Sequence, residues 1–215
     1  MGVEFVDLFD KWASSYDDTV AGSDPEYKEV FEGYDEMLDR VAEHALSPAI
    51  EFGVGTGNLS RKMIERNKIV IGVEPSREMR KIASVKCPEA AIYEGDFIDF
   101  PDFQLPVQSI VSSFAFHHLT FDEKEEAVKK YHQLLAENGE IVFLDTLFQS
   151  ETAKKEIQNE AKQQGFLNLF NDLEEEHYEY LQDMTRIFEN NGFNVSFEQQ
   201  NKFAWLIRAV KKENA

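Results

Sequence analysis

The chain has 215 residues, 42% of them hydrophobic, which suits one domain with an adequate core. Its formal net charge of −19 repels nucleic-acid phosphates and anionic lipid headgroups, so a small molecule or a basic partner is the expected ligand. No apolar run is long enough to cross a bilayer, no export signal is visible, and the single cysteine, Cys87, cannot form an internal disulfide, so a cytoplasmic protein is expected.

Two amphipathic helices are predicted ahead of the first strand. Apolar residues recur at three- and four-residue spacing over residues 3–16 and again over residues 26–45. Turn-forming residues, including Gly22 and Pro25, separate the two stretches. Such an appended pair is well placed to fold over the ends of the strands as a lid.

A glycine-rich loop follows the first predicted strand, residues 49–52, and leads into a helix predicted for residues 58–66. Gly53, Gly55 and Gly57 stand at alternate positions, and Glu51 precedes them. Glycine allows bare backbone to approach a ligand, and the helix start offers free N–H groups. A dinucleotide fingerprint would place its third glycine three positions after the second, and Glu51 would repel a diphosphate. The loop therefore favours a ligand with a cationic amine, the alternative being a tight turn that binds nothing.

The second predicted strand, residues 68–74, is apolar without alternation, as expected of a parallel strand buried on both faces. It ends in Glu74, where a carboxylate can accept the hydroxyls of an adenosine ribose. The competing interpretation is an acidic cap for the helix predicted at residues 76–85, and both roles can hold together.

Two later strands end in polar or ionisable residues. Asp96 follows the third strand, residues 90–94, in what its sequence alone indicates is a turn. His117 and His118 follow the fourth strand, residues 107–113, at the edge where ligands bind in open α/β sheets. His117 is a candidate general base near pH 7, with a structural role at the strand–helix junction as the alternative. No metal is predicted, because adjacent side chains point in different directions.

The remaining elements complete an α/β pattern. A helix at residues 121–136 precedes a strand at residues 140–145, which ends in Asp145 beside the expected pocket. Helices are predicted at residues 152–164 and 174–190, and the aromatic and acidic segment between them is expected to shape a substrate pocket. Two alternating stretches near the end predict an antiparallel hairpin. We therefore predict a doubly wound, seven-stranded, mostly parallel sheet with an antiparallel last strand and helices on both faces.

Three features resemble one known family. The motif from Glu51 to Gly57 resembles the first motif of class I S-adenosylmethionine-dependent methyltransferases, and the aromatic leader ending in Tyr16 and Asp17 resembles that of its small-molecule members. The antiparallel seventh strand is typical of the same class. The chain looks most similar to the uncharacterised YrrT-type methyltransferases of Gram-positive bacteria. On this basis we expect an N-terminal cap at residues 1–46, a cofactor-binding core at 47–146, a substrate-side helical segment at 147–191 and a hairpin at 192–212.

The resemblance implies methyl transfer from S-adenosylmethionine to a small-molecule acceptor, yielding S-adenosylhomocysteine, in a monomer or homodimer. It assigns the methionine end of the cofactor to Glu51 and the three glycines, the ribose to Glu74 and the adenine to Asp96, with His117 as the candidate catalytic base. The implied cofactor-binding residues are Tyr16, Glu51, Gly53, Gly55, Gly57, Glu74, Pro75, Asp96, Phe97 and Ser113.

Other functions remain open at this point. A protein that binds the cofactor without catalysis would keep every binding residue. A nicotinamide-dependent oxidoreductase would share Glu74 and the glycine loop. A methyltransferase acting on a macromolecule is a third alternative, although the acidic charge counts against RNA or DNA.

Overall fold

The computed structural model describes residues 9–104 and 107–212, and seven strands within them form one sheet in the order β3-β2-β1-β4-β5-β7-β6. The strands are β1 Ala49–Phe52, β2 Val70–Val73, β3 Ala91–Tyr93, β4 Val107–Ser113, β5 Leu135–Thr146, β6 Phe193–Gln199 and β7 Ala204–Lys211. Neighbouring strands are parallel except for β7, which is antiparallel to both β5 and β6. This arrangement confirms the predicted sheet and its antiparallel last strand.

Helices cover both faces of the sheet. The helices of eight or more residues in the described part are α1 Tyr34–His44, α2 Asn58–Glu65, α3 Arg77–Lys86, α4 Phe121–Leu134, α5 Glu151–Gln164, α6 Leu167–Glu175 and α7 Leu181–Asn190. One face packs against α1 and α2, and the other against α4 and α7. Strand β1 lies between these two layers of helices, so its side chains enter both cores. Ile50 and Phe52 pack in the core beneath α4 and α7, whereas Ala49 packs in the core beneath α1 and α2. No helix of the described residues is long and apolar enough to span a bilayer.

The N-terminal region differs from the predicted pair of long helices. Residues 3–8 of the first lie outside the described part, residues 9–12 are helical, and a turn at 13–15 interrupts the helix before short helical segments at Tyr16–Asp18 and Thr19–Ser23. The second begins at Tyr34 rather than at residue 26, so the predicted start was wrong. Gly33 adopts φ 77°, which a right-handed helix cannot include, and residues 25–33 form turns instead.

Two further boundaries also differ. The helix predicted over residues 174–190 is divided between α6 and α7, because the backbone at Glu179 and Leu181 forms hydrogen bonds with Phe148 instead of continuing a helix. The Phe148 N–H donates to the Glu179 carbonyl at 3.2 Å, and its carbonyl accepts from the Leu181 N–H at 2.9 Å. Strand β5 begins at Leu135, before the predicted start at residue 140, because Leu135 already pairs with Val107 of β4.

Candidate active site

Two cavities lie at the carboxyl ends of the parallel strands. The smaller has a volume of about 50 Å³ and is bordered by the loops after β1, β2, β3 and β4. The larger has a volume of about 530 Å³ and lies between the N-terminal segment and the region around α6. Four residues line both cavities: Phe9, Tyr16, Phe114 and His118. The cavities therefore adjoin along these four side chains.

Seven of the ten residues predicted to bind the cofactor line the smaller cavity. They are Tyr16, Gly53, Gly55, Glu74, Pro75, Phe97 and Ser113. The other three, Glu51, Gly57 and Asp96, do not line it. The sequence motifs thus converge on one place, although not every member reaches its surface.

The glycines of the loop serve different purposes. At Gly53, with φ 69°, an added Cβ would lie 2.8 Å from the Cβ of Ala115, so the backbone there passes closer than any side chain would allow. At Gly57, with φ 92°, a Cβ would lie 3.3 Å from the Cα of Ala83 on α3. Gly57 therefore lets α2 and α3 approach each other, whereas Gly53 keeps the cavity wall free of side chains.

Glu74 has the geometry of both interpretations made from the sequence. It is 4% exposed and borders the smaller cavity. One carboxylate oxygen accepts the Ser76 N–H at 2.8 Å, beside the start of α3, and the other accepts the Gly55 N–H at 2.8 Å. Burial raises the pKa of Glu74 to about 7. The carboxylate thus braces the glycine loop and also faces the site.

Glu51 is fully buried below the loop and incompletely paired. Its Oε2 accepts a hydrogen bond from the Ser60 hydroxyl, whereas Oε1 has no partner among the described residues. Burial raises the pKa of Glu51 to about 8, with the nearby Glu74 adding to this and Ser60 opposing it. A buried carboxylate oxygen without a donor is stabilised by a cationic group placed against it.

Asp96 and Phe97 occupy a tight turn after β3. The Asp96 Oδ1 accepts the N–H groups of Ile98 and Asp99, each at 2.8 Å. Phe97 is 2% exposed and stacks on Phe52, with ring centroids 5.8 Å apart. Asp96 therefore has a structural task in the turn, and its assignment to an adenine stays a prediction.

The N-terminal segment is tied across the smaller cavity at two aspartates. Asp10 accepts from the Ser76 hydroxyl at the start of α3. Asp17 accepts from the Thr56 hydroxyl at 2.6 Å and pairs with Lys86 on α3 at 2.8 Å. Tyr16, between these two anchors, lines both cavities. Sequence reasoning noted the Tyr-Asp pair but gave Asp17 no task.

His117 and Asp145 form a buried dyad. The His117 Nδ1 lies 2.5 Å from the Asp145 Oδ1, and the His117 backbone N–H donates to the other carboxylate oxygen at 3.0 Å. Burial lowers the pKa of His117, but the adjacent Asp145 carboxylate outweighs burial, so the net shift is upward. Asp145 thus fixes the orientation of an imidazole that lines the larger cavity.

His118 pairs instead with Glu176, which follows α6, at 3.0 Å. The rings of His117 and His118 are 4.2 Å apart, so the expectation that adjacent histidines point apart does not hold in this 3₁₀ turn. One ligand atom from each of His117, His118 and Glu176 lies within 4.8 Å of the others, so the three residues could hold a metal ion. The absence of a metal stays a prediction, and sequence reasoning missed Glu176.

The seven-stranded sheet with its antiparallel last strand is the fold of class I methyltransferases. The family described as "Methyltransferase domain" matches residues 49–139. The solved structure titled "DhpI-SAH complex structure" superposes with a TM-score of 0.72 at 14% identity and covers 97% of this chain and 96% of its own. Magnesium protoporphyrin IX methyltransferase of Synechocystis, solved with bound SAH, gives a TM-score of 0.71 at 14% identity, covering 95% and 98%.

Curated relatives give the family more closely. An "Uncharacterized methyltransferase YrrT" of Halobacillus halophilus is 60% identical over 99% of this chain and 100% of the relative. An uncharacterized methyltransferase of Bacillus licheniformis is 51% identical over 98% and 100%. The chain therefore belongs to the YrrT-type methyltransferases.

Proposed function

We propose that this methyltransferase transfers a methyl group from S-adenosylmethionine to a small-molecule acceptor and releases S-adenosylhomocysteine. The observation that carries the proposal is the buried Glu51, whose Oε1 has no hydrogen-bond partner among the described residues. The methionine part of the cofactor carries an ammonium group, which would supply the missing positive charge. A diphosphate would instead place further negative charge beside Glu51 and Glu74.

The other proposed contacts follow from the lining of the smaller cavity. Gly53 and Gly55 present backbone to it, and each Glu74 oxygen keeps a second lone pair for a ribose hydroxyl. Tyr16 and Phe97 offer ring surface in the same cavity. We assign the remaining predicted residues to the walls and adenine end of this site: Pro75, Ser113 and Asp96.

Binding requires the smaller cavity to widen. Small-molecule sites usually measure about 300–1,000 Å³, far above the 50 Å³ found here. Phe9 and Tyr16 of the N-terminal segment line this cavity, and Asp17 holds the segment through side-chain contacts rather than through a shared core. We propose that this segment is a lid that opens to admit the cofactor and closes before transfer.

When bound, S-adenosylmethionine supplies a methyl group already activated by its sulfonium. The chain has to orient the acceptor, exclude water and accept a proton where the nucleophile carries one. We propose His117 for proton transfer, because Asp145 occupies its Nδ1 and leaves Nε2 as the ring nitrogen available to the larger cavity.

The larger cavity supports a small acceptor. Its volume of about 530 Å³ falls within the usual range for small molecules, and it adjoins the proposed cofactor site. The net charge of −19 opposes a nucleic-acid substrate. A non-catalytic binder requires no acceptor cavity of this size beside the cofactor site.

Two measurements test the proposal. Isothermal titration calorimetry should show binding of S-adenosylhomocysteine and none of NAD, whereas the opposite result would favour an oxidoreductase. Incubation of a bacterial metabolite extract with S-adenosylmethionine bearing a trideuterated methyl group should then yield labelled products by mass spectrometry. Binding of S-adenosylhomocysteine without any labelled product would favour a non-catalytic binder.

A further inference from the structure

The larger cavity has an acidic wall whose only basic groups, among the described residues, are the imidazoles of His117 and His118. Its lining includes four carboxylates, Asp24, Asp172, Glu175 and Glu176. No lysine or arginine of residues 9–104 or 107–212 lines it. The net charge of the whole chain has the same sign. An anionic ligand entering this cavity would therefore meet repulsion, since Asp145 and Glu176 already engage the two imidazoles and no lysine or arginine is in the wall to offset it.

Asp172 is a half-buried carboxylate of this wall that a cation would stabilise. It lies on α6, and the described residues provide it with the Tyr27 hydroxyl as a hydrogen-bond donor. Burial raises the pKa of Asp172, with Tyr27 opposing this and the neighbouring Glu176 adding to it. A positively charged group placed in the cavity would offset both the cost of desolvating the Asp172 carboxylate and its repulsion by Glu176.

Aromatic rings complete the surroundings of that carboxylate. Trp12 and Tyr27 both line the cavity and stand edge to face, with centroids 6.4 Å apart and an interplanar angle of 84°. Phe31 and Tyr178 also line it. Ring faces attract cations, and Trp and Tyr do so best. Rings together with carboxylates that no lysine or arginine of the wall neutralises favour a cationic nitrogen over a neutral or anionic group.

Two lysines that contact residues at and beside Tyr178 are already engaged outside the cavity. The ammonium of Lys124 bonds the His177 carbonyl and lies 3.1 Å from Glu179. Lys154 lies over the ring of Tyr178, 5.7 Å from its centroid, and does not line the cavity. Neither ammonium is placed to neutralise Asp172.

We propose that the methyl acceptor is a small molecule that carries a protonated amine and no phosphate or carboxylate. This inference rests on the proposed function and names the acceptor class of that same site. The amine binds against Asp172, which lines only the larger cavity, and the nucleophilic atom faces the boundary at Tyr16 and His118, which line both cavities. Specificity is thus electrostatic at one end and positional at the other.

The transfer step balances without a further reactant. A lone pair of the acceptor's nucleophilic atom forms the bond to the methyl carbon while the carbon–sulfur bond breaks, and that electron pair stays on sulfur. A proton on the nucleophile passes to the Nε2 of His117 and then to water. The protonated amine at Asp172 keeps its charge throughout.

The first test uses three matched probes against protein saturated with S-adenosylhomocysteine. Calorimetry compares 2-phenylethylamine, 2-phenylethanol and phenylacetate, which share ring and chain length and differ in charge. We expect the amine to bind at least about tenfold more tightly than the alcohol, since charge-assisted hydrogen bonds are the stronger ones. Phenylacetate binding as tightly as the amine would overturn the proposal.

A matched pair of variants locates the charge. Asp172→Asn keeps an oxygen for the Tyr27 hydroxyl, so the fold is retained, and it should lower amine affinity about tenfold while leaving alcohol affinity unchanged. Glu174→Gln, an exposed position on the same helix that does not line the cavity, should change neither. Equal losses for amine and alcohol in Asp172→Asn would contradict the role of charge.

The second test needs no knowledge of the acceptor. After incubation of a metabolite extract with the trideuterated cofactor, the newly labelled products should be retained on a cation exchanger. Labelled products found only among neutral or anionic fractions would overturn the amine proposal while leaving methyl transfer intact. Failure of S-adenosylhomocysteine to bind at all would instead remove the proposed function.

Discussion

Replacing Glu51 by glutamine should stabilise the protein without its cofactor at high pH. Burial raises the pKa of Glu51 from an ordinary 4.5 to about 8. Between these values the unfolded chain has lost the proton and the folded chain retains it, so stability falls as the pH rises and levels off above about 8. The full penalty is on the order of 5 kcal/mol, because each tenfold change in proton affinity corresponds to about 1.4 kcal/mol.

Glutamine removes this penalty at a smaller cost of its own. Its oxygen can still accept from Ser60, but its buried amide N–H groups lack a partner, which costs about 1–3 kcal/mol. The net gain at about pH 9 is therefore about 2–4 kcal/mol, or about 4–16 °C in Tm for a chain of this size. At about pH 5, where the penalty is small, the variant should be the less stable protein.

The same substitution should weaken cofactor binding. In the folded chain Glu51 is protonated at about pH 6.5, so binding of an ammonium group against it should release a proton. Titration of S-adenosylhomocysteine in two buffers of different ionisation enthalpy measures that release. Glu51→Gln should release fewer protons and bind at least about tenfold more weakly.

Scanning calorimetry at about pH 5 and pH 9 checks the stability half of this prediction. Glu65→Gln is the control, since Glu65 is an exposed glutamate on α2 and should change neither stability nor affinity by more than a few tenths of a kcal/mol. A Glu51→Gln protein that is less stable at pH 9 and binds S-adenosylhomocysteine unchanged would refute the reasoning.

Three more substitutions test other parts of the site. Asp17→Asn removes the charge that pairs with Lys86 and holds the N-terminal segment in place. Because the pair is half-exposed, its loss should lower stability by at most about 1 kcal/mol. S-adenosylhomocysteine should nevertheless dissociate several-fold faster in stopped-flow experiments, and an unchanged rate would argue against a lid. Asp145→Asn removes the carboxylate that raises the pKa of His117, so the rising limb of kcat/KM against pH should move to lower pH and its maximum should fall; an unmoved limb would exclude His117 as the base. Glu74→Ala should weaken cofactor binding by about 1–3 kcal/mol through lost charge-assisted hydrogen bonds, and calorimetry showing unchanged affinity would exclude Glu74 from the site.

Local sequence was a good guide to the buried sheet. Strands β1 and β4 begin and end at the predicted residues, because short apolar runs bounded by turn-forming residues have few alternatives to a parallel strand. It was a poor guide to the region before Tyr34. Apolar periodicity there continues past Gly33, whose positive φ prevents a continuous helix. The rings of Tyr27 and Phe31 therefore do not form part of a helical apolar face but line the larger cavity.

The sequence by itself determined the order of elements, the family, and the placing of Glu51, Glu74 and the glycine loop at strand ends, since each of these depends on residues close together in the chain. Only the tertiary structure decided which distant side chains meet. The pairing of His118 with Glu176 and of Asp17 with Lys86, and the acidic cavity around Asp172, all join segments that are far apart in the chain. Backbone propensity and periodicity describe a segment's own conformation. They do not indicate which distant segments of the chain will pack against it.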